Sequence, residues 1–227
     1  LWFYSTLKPQ GRMKIKKNIN KTIFAGILLG VHFAFFFEAI KITKISNATF
    51  LGTLAPFFTL LIELYIFKRY YNRKVLLGLL FTLIGSIVIM GYKFNLGTSY
   101  TLGSFYAILC SIFLAIAFII AEKVRENENT IVYTRTLYLS ASGTLLIIAF
   151  FVSENLINHS LLEFSGLLFL GLVPTILGHN SIYYSVKYVS PTIVAAFPIG
   201  EPIIATILAY FIFGELIGFN ILFGGIA

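Results

Sequence analysis

Long apolar runs separated by short polar connectors set the pattern of this chain. Seven runs reach the roughly 20 residues that a bilayer-spanning helix needs: 22–40, 47–67, 75–92, 102–121, 131–152, 164–186 and 191–213. Residues 219–227 begin a further helix, and residues 1–7 end one that precedes the first run. Each run is far longer than the roughly ten residues of a membrane barrel strand. The pattern predicts an all-α integral membrane protein, a multi-pass helical bundle with about eight to nine helices present.

The runs also repeat. Slid along itself by 146 residues without a gap, the chain brings Lys41 onto Lys187, Pro56 onto Pro202 and Gly78 onto Gly224. Ser46 meets Thr192, and the aromatics Phe37, Tyr65 and Phe67 meet Tyr183, Phe211 and Phe213. Five hydrophobic segments separate each element from its copy, and an odd number of crossings turns the second copy upside down. Inverted repeats of this kind are common among secondary transporters.

Charge fixes the expected orientation. Connectors predicted on one side carry Lys8, Arg12, Lys14, Lys16, Lys17 and Lys21, then Lys68, Arg69, Arg73 and Lys74, then Lys123, Arg125 and Arg135, and finally Lys187. That is 14 of the 17 basic residues. The other side holds Lys41, Lys44 and Lys93, and its last connector carries Glu154 and Glu163 without a base. By the positive-inside rule the basic side is cytoplasmic. The formal net charge of +8 is therefore a topology signal, with some attraction to anionic lipid headgroups, and no nucleic-acid partner is needed to explain it.

Composition agrees with the membrane reading. The chain is 58% hydrophobic with a mean hydropathy of +0.90, more apolar surface than a soluble domain of this length could bury. A lone cysteine, Cys110, excludes an intrachain disulfide and a multi-cysteine metal site, and it reads as a buried small residue. No cofactor or metal is expected.

With repeat and orientation in hand, the chain resembles the drug/metabolite transporter superfamily, in particular its EamA-type branch. Ala-Ile-Lys-Ile-Thr (39–43) and Ser-Val-Lys-Tyr-Val (185–189) look like the family's endings of the third and eighth helices. Leu-Ala-Pro-Phe-Phe (54–58) and Gly-Glu-Pro-Ile-Ile (200–204) look like the proline motifs of the fourth and ninth, and Phe-Gly-Glu-Leu-Ile (213–217) like the motif that closes the ninth. The resemblance implies ten helices in two inverted five-helix halves. Residues 1–92 would hold part of the first EamA repeat and 93–227 the second. The first helix, nearly all of the second and the end of the tenth would then lie outside this sequence. At Phe67, Lys68 and Arg69 the chain departs from the family's frequent Gly-Glu, so no function is expected at that corner.

Few residues could carry transport chemistry. Glu201 is the eleventh residue of the 191–213 run, about 15 Å along it and near the bilayer centre. A carboxylate there costs about 2.5–3.5 kcal/mol even on lenient insertion scales, so it suits a proton carrier or a site for a substrate amine. The bland reading is a protonated side chain bonded to a neighbouring helix. Pro198 and Pro202 bracket it, and Pro56 matches Pro202 in the first repeat. Each removes a backbone donor, which makes it a bending point or a static kink.

His32 lies mid-run, and His179 opens a polar stretch with Asn180 and Ser181 that is costly in a spanning helix unless it faces a cavity or partner. Histidine changes charge within the accessible pH range. Phe36 and Tyr183 are candidate aromatic walls. Glu38 and Glu63 read as structural, with Glu63 within reach of Lys68 or Arg69. The stretch from Glu122 to Glu128 reads as a solvated cytoplasmic loop. Gly26 and Gly30 have the spacing of close helix packing, internal in the first instance and otherwise across a homodimer.

The function expected is secondary transport of a small polar metabolite, an amino acid or related compound, by alternating access, with export and proton linkage through Glu201 as its finer form. A non-transporting scaffold or sensor is the alternative, though a passive bundle has little use for the buried polar residues. A lipid-modifying enzyme ranks lower, because the chain has no Asp, no HExxH and no phosphate loop.

Overall fold

The structure is a computed structural model. It describes residues 13–43, 45–90, 101–152 and 160–200, with 204, 207–208, 210–212 and 214, and gives backbone only at 45–47, 86, 89 and 90. Helices make up all regular structure among the described residues. They are α1 (Lys16–Ile42), α2 (Ile45–Gly52), α3 (Ala55–Tyr65), α4 (Arg73–Met90), α5 (Thr101–Arg125), α6 (Thr130–Val152), α7 (Leu161–Leu170), α8 (Asn180–Ser185) and α9 (Pro191–Ala196). A π-helical turn, Gly171–His179, joins α7 to α8, and a 3-10 turn, Phe197–Gly200, continues α9.

Among the described residues, five stretches are long and apolar enough to cross a membrane: Lys16–Ile42, Ala48–Tyr65, Thr101–Arg125, Thr130–Val152 and Leu161–Ser185. The runs 75–92 and 191–213 extend beyond the described residues. In Leu161–Ser185 none of the apolar window is buried against protein, so its Leu and Phe side chains need lipid as their solvent.

Two expected helices are interrupted. The 47–67 run breaks at Thr53 and Leu54, just ahead of Pro56, whose ring nitrogen has no hydrogen to offer the carbonyl of Gly52. There the bonds shorten to the i→i−3 type, with Leu54 N donating to Leu51 O at 3.4 Å. The second-repeat counterpart of residues 51–54 is 197–200, which is the 3-10 turn containing Pro198. A further likeness ties the repeats together. Lys68 and Gly214, 146 residues apart, both have left-handed backbone, with φ of 52° and 69°. The first repeat puts a lysine where the second uses the residue suited to that conformation.

The described residues divide into two compact units. One takes residues up to Ala34 together with Ile116–Ser190, and the other Phe35–Ala115 together with residues from Pro191 onward. In the first unit α1 lies directly on α6. A Cβ added at Gly26 would sit 2.5 Å from Leu137 O and Ser140 Cβ, and one at Gly30 would sit 2.8 Å from Ala141 O and Thr144 Cβ. The Gly26/Gly30 spacing thus serves an internal contact with small residues of α6. In the second unit Ala39, Ala48, Leu51 and Ala107 form a buried apolar cluster, and Ser111 Oγ donates to Leu51 O at 2.5 Å.

Replacing Gly26 by Ala is expected to cost about 1–3 kcal/mol through overpacking. Gly78→Ala, with nothing within 4 Å of the added carbon, is the control and should not destabilise. Thermal melting in detergent reads both. Equal midpoints for the two variants would contradict the α1–α6 contact.

Candidate functional site

In the first unit the polar candidates of α1 and of the π turn meet through aromatic rings. The Phe33 ring stacks on His179 at 5.8 Å and 24°, and it meets His32 edge-on at 4.9 Å. Asn180 Oδ1 accepts a long bond of 3.4 Å from the Tyr138 hydroxyl. Tyr183 is buried among Phe118, Tyr133 and Tyr138, with ring centroids 5.5–6.3 Å away. His32 and His179 thus share the Phe33 ring, while Asn180 and Tyr183 both meet Tyr138. The fully buried Tyr133 hydroxyl has no hydrogen-bond partner among the described residues.

The π turn positions two of these groups, and the sequence reading passed over it. Pro174 has no hydrogen to give Leu170 O, and the Thr175 hydroxyl donates to that carbonyl instead, at 3.0 Å. Wide turns of this kind inside a helix are frequent at functional sites, and here the turn ends on His179. The signal lay in Pro174, with Gly171 and Gly178 on either side of it.

The stretch from Glu122 to Glu128 is the expected solvated loop only in part: it begins as the last turn of α5, and Lys123, Glu126 and Asn127 are exposed while two of its charges are buried. Arg125 and Glu128 are each only 2% exposed. The Arg125 guanidinium donates to the main-chain oxygens of Tyr183 and Glu128 and to Thr130 Oγ1. The Glu128 carboxylate accepts from Lys14 N at 2.9 Å, Ile15 N at 3.0 Å and Asn18 Nδ2 at 3.0 Å. This anchoring explains why α1 starts at Lys16, six residues before the apolar run that begins at residue 22. Burial acts to raise the Glu128 pKa, but the hydrogen bonds and the Lys14 charge outweigh it and hold the carboxyl below its ordinary value.

In the second unit the Phe36 ring lies over Gly52, 3.4 Å from where a Cβ would stand. Pro56 is buried at the start of α3, and Pro198 sits half-buried in the 3-10 turn. Glu201 and Pro202 lie outside the described residues. Glu38 pairs with Lys41 on the surface at 2.5 Å. Glu63 is fully buried, and it pairs with Arg69 at 2.5 Å as its spacing suggested. The corner that departs from the family pattern thus supplies the partner of a buried carboxylate. Tyr71 and Thr192 also bond to Glu63, and neither was legible as a partner.

Comparison with known proteins defines the class of this fold. The sequence pattern of the EamA-like transporter family matches residues 2–91 and 101–227. The chain belongs to the EamA-like transporter family, and it is a multi-pass membrane protein of transporter rather than enzyme type. An uncharacterized transporter of Archaeoglobus fulgidus is 26% identical over 192 residues, 85% of this chain and 67% of the relative. A pseudopaline exporter of Pseudomonas aeruginosa is 24% identical over 195 residues, 86% of this chain and 67% of the relative. A solved crystal structure shares the fold with a TM-score of 0.71 at 14% identity, covering 93% of this chain and 84% of that one.

Two outcomes follow for the first unit. The Glu128 bonds favour the charged carboxylate, so their stabilisation is present above the unfolded value of about 4.3 and is lost as pH falls through the lower folded value. Melting in detergent from about pH 7 to about pH 3 should show this acid loss, and Glu128→Gln should flatten it while lowering stability at neutral pH by about 1–3 kcal/mol. An unchanged acid limb would contradict the assignment. Tyr133→Phe removes a hydroxyl that has no partner among the described residues and should leave stability equal or about 1 kcal/mol higher. A clear loss would show that the hydroxyl has a partner in the working protein.

Proposed function

We propose that this protein moves a small polar metabolite, an amino acid or related compound, outward across the cell membrane by alternating access of two inverted repeats. On this reading residues 1–92 and 93–227 belong to the first and second repeats, and the basic connectors face the cytoplasm. The observation that carries it is the placing of His32, His179 and Asn180 against aromatic rings in otherwise apolar spans, with His179 ending a π turn and Asn180 following it. A passive bundle gains nothing from such groups at membrane depth. The exporter among the relatives supports the outward direction, and the family match on either side of residues 92–100 supports the two-repeat division.

In this mechanism His32, His179 and Asn180 line the path, and Tyr183 and Phe36 are its aromatic walls. Pro56, Pro198 and Pro202 mark where the helices bend. The likeness of the breaks at 53–54 and 197–200 supports bending at matched places in both repeats. Glu201, near the midplane by its place in the 191–213 run, couples movement to protons. The use of Gly26 and Gly30 inside one chain removes their spacing as an argument for a homodimer.

Reconstituted protein in proteoliposomes, offered a labelled amino-acid and metabolite panel with and without a pH gradient, tests the reading. Gradient-driven flux of one compound is expected, and Glu201→Gln should abolish its dependence on the gradient. Flux indifferent to both gradient and substitution would remove Glu201 from the mechanism. No flux for any compound would favour a scaffold or sensor.

A further inference from the structure

The second unit holds a buried ionic cluster that the transport reading has not used. Glu63, on the last turn of α3, is fully buried. Its Oε1 accepts from Arg69 Nη1 at 2.5 Å. Its Oε2 accepts from the Tyr71 hydroxyl at 2.5 Å, from Thr192 N at 3.3 Å and from Thr192 Oγ1. Three separate pieces of chain are thereby tied to one carboxylate: α3 itself, the turn after it, and the start of α9, 129 residues further along. The left-handed Lys68 makes this geometry, because it folds the chain back so that Arg69 N also bonds Glu63 O at 2.9 Å.

We propose that Glu63 is a positioning residue for transport: it clamps the start of α9 to α3 and so holds this helix pair closed at the end carrying Lys68 and Arg69. The proposal rests on the transporter reading above. Sequence symmetry points to a clamp rather than a general brace. The 146-residue offset that carries Thr192 onto Ser46 carries Glu63 onto Ala209 and Arg69 onto Glu215. In sequence, the matched positions therefore keep a hydroxyl residue, replace the carboxylate of Glu63 by alanine and replace Arg69 by glutamate.

The chemistry also suits a closure that must reopen. Every partner is a polar group that water can satisfy, and the Arg69 side chain is already 31% exposed. Opening exchanges these bonds for bonds to water instead of stranding a charge in the apolar interior. Beyond Thr192 the helix leads within one short stretch to the 3-10 turn and Pro198, so release at its start frees the segment that runs on to Glu201.

The test uses a reporter thiol. Thr59, buried one turn before Glu63 with its hydroxyl bonded inside α3, is replaced by Cys in a Cys110→Ser background. A membrane-impermeant maleimide is then applied from each face of vesicles holding the intact protein. Glu63→Gln should speed labelling from the Lys68/Arg69 side on the order of tenfold, the effect of losing one charge-assisted hydrogen bond. Labelling from the opposite side should not rise. Thr192→Val, which keeps the Glu63–Arg69 pair, should move labelling in the same direction with less risk to folding.

Equal labelling rates in parent and both variants, or acceleration from both faces together, would overturn the clamp. Flux of the metabolite panel through the same preparations separates the two claims. Preserved flux with unmoved labelling sinks the clamp alone. Side-specific acceleration supports the clamp even if the parent carries no compound, a result that would count against the transporter reading instead.

Discussion

The start of a helix presents unpaired N–H groups and about half a positive charge, and at the edge of a membrane water is not always present to answer them. In this protein two such starts are answered by carboxylates from far along the chain. Glu128 accepts from Lys14 N and Ile15 N ahead of α1, and Glu63 accepts from Thr192 N at the start of α9. Neither helix has an acidic residue in its own first turn, so the long-range carboxylate does what a local cap would do elsewhere. Other helix starts use the local solution: Asn72 Oδ1 accepts from Lys74 N at α4, Asn129 Oδ1 accepts from Ile131 N at α6, and Ser160 and Glu163 form a capping box at α7.

These two contacts organise much of what surrounds them. Glu128 is held in turn beside Arg125, which reaches Tyr183 O and so links the end of α5 to the helix that carries the aromatic cluster. Glu63 gathers Arg69, Tyr71 and Thr192, and it gives the left-handed Lys68 its reason, since that residue turns Arg69 back toward the carboxylate. A buried charge with one partner is costly, and one with several hydrogen bonds is tolerable. Both carboxylates belong to the second kind. Their sites lie beside the basic connectors, so the charge asymmetry along the chain also supplies ion-pair partners.

The sequence was most legible where physics is local. Apolar length placed the spans, because a bilayer demands about 20 residues from any helix that crosses it. Pro56 and Pro198 announced breaks, because a missing donor acts within one turn. Glu63 and Arg69, six residues apart, could be paired by eye. What escaped reading depends on sequence-distant contact. Glu128 looked solvated among Glu122, Lys123 and Arg125, since nothing nearby reveals that Lys14 and Asn18 will cover it. Thr192 as a partner of Glu63 was hidden by the 129 residues between them. The π turn was nearer the surface of the text, in Pro174 followed by Thr175, whose hydroxyl answers the carbonyl that the proline leaves unpaired.

The central claim is that both faces of the membrane reach the same polar cluster in turn. Its most direct measurement places one thiol there, Asn180→Cys in a Cys110→Ser background, and follows its modification by an impermeant reagent from each side separately. The account predicts labelling from both faces, slowed from either by a transported compound. Labelling confined to one face, whatever solute is present, would contradict alternating access.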